Sequence, residues 1–196
     1  MVACNEIKNQ KSKVWRFEVC VGAILTQSTA WKNVEKAIKN LAELNLLTPE
    51  AILKCSKVKL EKCIKPAGYF RQKAKKLKIF SSFLVNQYHG DLNKMFICKL
   101  SVIRYELLSV WGIGPETADS ILLYAGDKSS FVIDTYTKRL CALLKIQFKD
   151  YNKYKQFFEN NLPHKPELFN EYHALIVAWG KLYNQNKEEA IKILKK

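Results

Sequence analysis

Glycine and proline are scarce in this 196-residue sequence, at 7 and 5. Apolar residues recur instead at helical spacing, as in Val34, Ala37, Ile38, Leu41 and Leu44, so the chain reads as predominantly helical. No C-x-x-C pair occurs among the six cysteines (Cys4, Cys20, Cys55, Cys63, Cys98, Cys141), several of which sit in apolar stretches. That pattern argues against disulfides and a structural zinc site and suits reduced, packed thiols. Long hydrophobic runs are missing too: Val19 to Leu25 and Ala174 to Trp179 fall far short of the roughly 20 residues a spanning helix needs. The opening Met1 to Lys13 is polar, with no apolar core ending in small residues, so the expectation is no secretion signal and a cytoplasmic protein. There is no repeat, no low-complexity tract and no Gly/Ser linker to separate independent domains.

Acidic residues are also in short supply, 18 against 33 Lys and Arg, for a net charge of +15 with 48% of positions apolar. The apolar share suits a folded globule rather than a disordered tail. The charge points to an anionic partner, nucleic acid ahead of a membrane surface. It is concentrated in Lys54, Lys57, Lys59, Lys62, Lys65, Arg71, Lys73, Lys75, Lys76 and Lys78, interrupted by Glu61 alone. Such a run can be a solvated helical face. The turn Pro66-Ala67-Gly68-Tyr69-Phe70 inside it adds two rings that could stack on or wedge between bases while lysines hold phosphates.

Local signals mark several boundaries. Thr48-Pro49-Glu50 supplies a capping hydroxyl, a first-turn proline and an acid at the positive helix end, so a helix starts there. Pro163 to Pro166 reads as a loop before a last apolar helix around Glu171 to Tyr183. Between them lies Leu107-Leu108-Ser109-Val110-Trp111-Gly112-Ile113-Gly114-Pro115-Glu116-Thr117-Ala118, where one helix ends near Trp111, two glycines permit a tight reversal and Pro115 opens a second helix. A hairpin backbone without Cβ atoms at Gly112 and Gly114 can approach a phosphodiester strand, and the N–H groups opening the second helix favour a phosphate. An ordinary helical turn fits the same residues. Twenty residues past Gly114, Phe131-Val132-Ile133-Asp134-Thr135 is an apolar extended approach ending in an acid that opens a helix, which by itself can be an N-cap and nothing more.

Taken in order, Gly22-Ala23-Ile24-Leu25-Thr26-Gln27, Trp31 to Ala37, Gly68 to Ala74, the hairpin and Val132-x-Asp134-Thr135 resemble the endonuclease III-type, helix-hairpin-helix (HhH-GPD) DNA glycosylases, from about Phe17 to about Tyr183. The resemblance implies an all-α, two-lobed fold with the active-site cleft between lobes. Residues 25–128 would form a central helical barrel, and 1–24 with 129–196 a second lobe from both chain ends. It implies excision of a damaged base flipped out of double-stranded DNA, by a monomer. Asp134 would be the essential carboxylate, stabilising the oxocarbenium-like sugar or orienting the attacking water. Gln27 would fill the vacated space and Tyr69 would act as wedge. Lys73, Gly112, Ile113 and Gly114 would contact DNA.

Two departures from the family refine the expectation. Relatives that also cut the strand carry a lysine two residues after the second hairpin glycine, where this sequence has Glu116, and a carboxylate cannot form the Schiff base. Water-dependent excision without strand cleavage is expected, with Lys138 a weak substitute amine. Many relatives also hold an iron–sulfur cluster on four late cysteines, but none follows Cys141, so no cofactor is expected beyond a monovalent cation on hairpin main-chain carbonyls. Cluster loss near Gly180 to Asn184 resembles the 3-methyladenine branch, whose aromatic pocket suits a cationic alkylated purine. Trp31 resembles its stacking ring, Lys181 a pocket lysine, and Trp15 is a looser candidate; the tryptophan-rich N-terminal segment of that branch is missing. Damage to pyrimidines, uracil or mismatched bases, and a catalytically silent DNA-binding module, are the competing readings.

Overall fold

The computed structural model describes residues 12–194; Cys4 lies outside them. Among the described residues there are helices and no strand. The contacts divide the chain into a unit ending at Ile121 and a unit beginning at Leu122. This division falls elsewhere than the lobes implied by resemblance, 25–128 against 1–24 with 129–196.

The first unit contains α1 (Lys13–Leu25), α2 (Trp31–Glu43), α3 (Pro49–Lys54), α4 (Lys57–Ile64), a single 3-10 turn (Lys65–Ala67), α5 (Phe70–Tyr88), α6 (Leu92–Ile97), α7 (Leu100–Ser109) and α8 (Pro115–Ser120). The capping hydroxyl of Thr48 accepts from Ala51 N at 3.2 Å with Pro49 in the first turn, as the sequence signal predicts. Val34, Ala37 and Leu41 of the α2 stripe are buried, whereas Leu44 is exposed because the helix stops at Glu43. α5 packs against α1, α3, α4 and α6, and α1 also meets α2 and α8. The core there is made of Phe17, Ile24, Leu25, Leu41, Leu60, Leu77, Phe80 and Leu84, each fully buried. At roughly 1.5–3 kcal/mol per large buried apolar side chain, these faces supply the drive that short helices such as α3 and α6 lack alone.

The second unit has a π turn running into it (Ile121–Ala125), then α9 (Thr135–Leu143), α10 (Tyr151–Asn161), α11 (Pro166–Gln185) and α12 (Lys187–Ile193). α11 begins earlier than the apolar pattern predicts, because Pro166 sits in its first turn, with Glu167 beside the positive helix end. Phe131 lies at the centre, stacked on Phe158 at 4.3 Å and edge-on to Phe169 at 5.4 Å. α11 packs on α9 and α12. At Gly180 an added Cβ would come within 2.2 Å of the Tyr136 ring, so the bare helix surface there is the seat of that ring. Cys20, Cys55, Cys63 and Cys141 are buried free thiols, and Cys98 is a half-buried one.

Candidate functional site

The hairpin is built by local rules. After α7, Ile113 N–H donates to Val110 O at 3.0 Å and closes the reversal. Gly112 takes φ +88°, and a Cβ there would press to 2.6 Å from Lys76 Cγ, so glycine is required on two counts. Gly114 is different: its backbone is extended, and a Cβ there would meet nothing within 4 Å, leaving that edge open. Asp119, fully buried on α8, takes a bidentate pair of bonds from Arg104 on α7, at 2.8 and 3.1 Å. That buried fork locks the two hairpin helices together.

Behind the hairpin, Gln27 donates to Gly112 O at 3.1 Å and Thr117 Oγ1 at 2.9 Å, while its carbonyl accepts from Lys76. The amide is therefore fully oriented by protein groups. Beside it opens a cavity of about 200 Å³ lined by Gln27, Ser28, Tyr69, Gln72, Lys73 and Lys76. Tyr69 projects at 70% exposure from a left-handed turn, φ +44°, that follows Gly68 at φ +66°. Ile113 buries its side chain, and its N–H is the donor that closes the turn. Among the hairpin carbonyls, Val110 O accepts from Ile113 N and Gly112 O from Gln27 Nε2.

Lys73 corrects an expectation. It is 2% exposed, and its ammonium donates to Leu25 O at 2.8 Å, Thr29 Oγ1 at 2.6 Å and Ala67 O at 2.8 Å. A cation spent on three internal acceptors is a brace, not a phosphate contact. Burial, with the Lys76 charge adding to it, lowers its pKa to about 8. Lys78 is similarly turned inward, onto Leu53 O and Cys55 O at the end of α3. Lys54, Lys57, Lys59, Lys62, Lys65, Arg71 and Lys75 are exposed, so the basic run divides into internal braces and a charged surface.

In the second unit the approach to Asp134 is extended yet has no neighbouring strand. Its donors go to side chains: Phe131 N to Glu159 Oε1 at 2.9 Å and Ile133 N to the Tyr151 hydroxyl at 3.2 Å. Buried Lys155 bonds Glu159 and Ser130 Oγ, holding the same segment. Asp134 then caps α9, its Oδ1 accepting from Thr137 N at 2.7 Å and Thr137 Oγ1 at 2.9 Å. Its Oδ2 lies 3.6 Å from His173 Nε2 on α11, and a short hydrogen bond joins His173 Nδ1 to the Tyr124 hydroxyl. The Asp134 side chain keeps 14% of its surface exposed, so it is not sealed in. Burial pushes its carboxyl up, but His173 and the two donors of Thr137 outweigh this and hold it below its ordinary value. Burial and then the Asp134 charge push the Tyr124 phenol up. An anionic carboxylate with one oxygen left over from its capping duty can face a developing positive charge.

Trp31 is 48% exposed, with its ring edge over Gly22 and its Nε1 donating to Glu35 at 2.8 Å. Trp15 is 37% exposed, and Lys181 and Glu116 are exposed. Sequence reasoning missed Tyr124, His173 and the Arg104–Asp119 pair, and read Lys76 only as one member of the basic run. Thr137, three residues after Asp134, is the one partner that capping spacing could have supplied.

The family model for HhH-GPD superfamily base excision DNA repair proteins matches residues 21–164. The chain belongs to this superfamily. As an HhH-GPD protein it is 48% identical, over 88% of its length and 80% of the relative's, to a candidate DNA repair glycosylase of Methanocaldococcus jannaschii. It is 32% identical to the endonuclease III of Thermotoga maritima over 63% of this chain and 54% of that one, so it spans about half of that relative. Among solved structures, the H. pylori 3-methyladenine DNA glycosylase bound to 1,N6-ethenoadenine superposes with a TM-score of 0.75 at 27% identity, over 88% of this chain and 90% of that one. The helices described above are thus the all-α HhH-GPD fold.

Proposed function

We propose that this HhH-GPD protein is a monofunctional DNA N-glycosylase that hydrolyses the bond between deoxyribose and a flipped, alkylated purine such as 3-methyladenine. The observation that carries the reading is Asp134: anionic, partly exposed, and with Oδ2 not consumed by the helix cap. As the base departs, the sugar gains positive charge, and a fixed carboxylate stabilises it or aligns the water that attacks it. Glu116, exposed where strand-cutting relatives carry lysine, supports water as the nucleophile. Double-stranded DNA would be held through Tyr69, Gln27, the open edge at Gly114 and the exposed lysines; Trp31 offers a half-exposed ring for a cationic base. The likeness to the H. pylori enzyme favours an alkylated purine, and that to endonuclease III favours a pyrimidine lesion as the second reading. An iron–sulfur cluster needs four thiolates, and with no cysteine after Cys141 the residues do not fit one. Among the described residues no helix is long and apolar enough to cross a membrane.

The test is release of free base from duplexes carrying 3-methyladenine, 7-methylguanine, uracil or thymine glycol, with and without later alkali. Excision of the methylated purines, breaks only after alkali, and a loss of at least about 100-fold in D134N are expected. Faster release of uracil or thymine glycol transfers the case to the second reading. A borohydride-trapped adduct defeats the assignment of water, and no release of any base leaves a DNA-binding module.

A further inference from the structure

Asp134 spends one oxygen on its cap and aims the other at a histidine that has nowhere else to turn. His173 is about nine-tenths buried, its Nε2 has no hydrogen-bond partner, and Asp134 Oδ2 lies 3.6 Å from it. On the far side of the ring, Nδ1 is bonded to the Tyr124 hydroxyl. The three side chains come from the π turn, the cap of α9 and the middle of α11, so the line they form is made by the fold and not by sequence proximity. A phenol is a donor to the bare nitrogen of a neutral imidazole. With Nδ1 accepting, the single ring proton must sit on Nε2, directed at the carboxylate. Separations of this kind in unliganded sites close when substrate arrives.

We propose that Tyr124 and His173 form an orienting relay for Asp134: Tyr124 selects the imidazole tautomer, and His173 presents one N–H to Oδ2 from the protein side. Together with Thr137 on Oδ1, this fixes the rotation of the carboxylate about its Cβ–Cγ bond and leaves its remaining lone pairs for the sugar or the water. His173 is thereby a positioning residue, acting through Asp134 and not on DNA. The inference rests on the reading of Asp134 as the catalytic carboxylate.

The experiment uses the full chain with 15N-labelled histidine. Ring 15N shifts report the tautomer of His173 without any substrate, and single-turnover excision on the fastest duplex of the lesion panel reports the rate. Binding of the same duplex is measured separately. The wild type should show Nε2–H. Y124F, which removes one oxygen, should show mixed tautomers and an excision rate about tenfold lower at unchanged DNA affinity. H173L should fall further still, and H173Q, whose amide N–H can replace Nε2–H, should recover to within about threefold of wild type. An Nδ1–H tautomer in the wild type overturns the relay, as do wild-type rates in both Y124F and H173L alongside an inactive D134N. Wild-type excision by D134N strikes the reading of Asp134 instead, a failure visible apart from the tautomer. Should H173L not fold, Y124F and the 15N shifts still decide.

Discussion

A single ammonium, that of Lys73, ties the end of α1, the Thr29 loop and the 3-10 turn before α5 to one point. Removing it takes the ammonium from Leu25 O, Thr29 Oγ1 and Ala67 O, of which the last two keep their bond to each other, so K73M should lose about 1–3 kcal/mol of stability, measured by urea denaturation. The pH dependence has a definite sign. The folded-state pKa of about 8 is below the unfolded value near 10.5, so between them the unfolded chain binds more protons and stability from this group rises with pH. The stability gap between wild type and K73M should therefore widen from pH 8 upward, and a constant gap would show that the ammonium titrates alike in both states. Asp134 has the same sense in a more acidic window. Its depressed carboxyl contributes stability above the ordinary carboxylate range that is lost as pH falls through the lower folded value, so the stabilities of wild type and D134N should converge in acid.

At the scale of elements, the hairpin depends on a buried fork and on a missing Cβ. Breaking the fork with D119A removes the fully buried acceptor of Arg104, and about 3–5 kcal/mol of destabilisation is expected, seen as a lowered Tm. G112A meets both the left-handed backbone and the Lys76 stem, so it should cost about 1–3 kcal/mol and weaken duplex binding more than an alanine at Gly114, where the space is open. In the second unit F131A empties the ring stack beneath the extended approach to Asp134. About 3–5 kcal/mol is expected there from calorimetry. These elements differ in how far they can be read from sequence. The Thr48-Pro49 and Gly114-Pro115 starts are legible because capping and proline geometry are local. The partners of the extended segment are not, since Glu159 and Tyr151 reach back from a helix 18 to 28 residues later. The basic run misleads at Lys73 for the same reason: identity and spacing carry charge, but only packing decides which ammonium turns inward.

For the whole molecule, a net charge of +15 predicts duplex binding that weakens steeply with salt. Replacing Lys57, Lys59 or Lys62 with glutamine should lower the slope of log affinity against log salt by about 1 for each phosphate that a lysine no longer neutralises, measured by fluorescence anisotropy. K73M should leave that slope unchanged. The ordered set of motifs, from Gln27 through the hairpin to Asp134, is readable as a family because each keeps its local geometry. His173 and Tyr124, lying 39 residues after and 10 before the acid in the same chain, carry no local signal and become visible only once α11 is in place.

The seat of Tyr136 on Gly180 has a consequence for how such a protein can change over time. Tyr136 is in the first turn of the helix that Asp134 caps, so any side chain introduced at Gly180 would lever that turn outward and swing the acid with it. An alteration forty-six residues away would then shift the proposed catalytic carboxylate while leaving the acid itself intact.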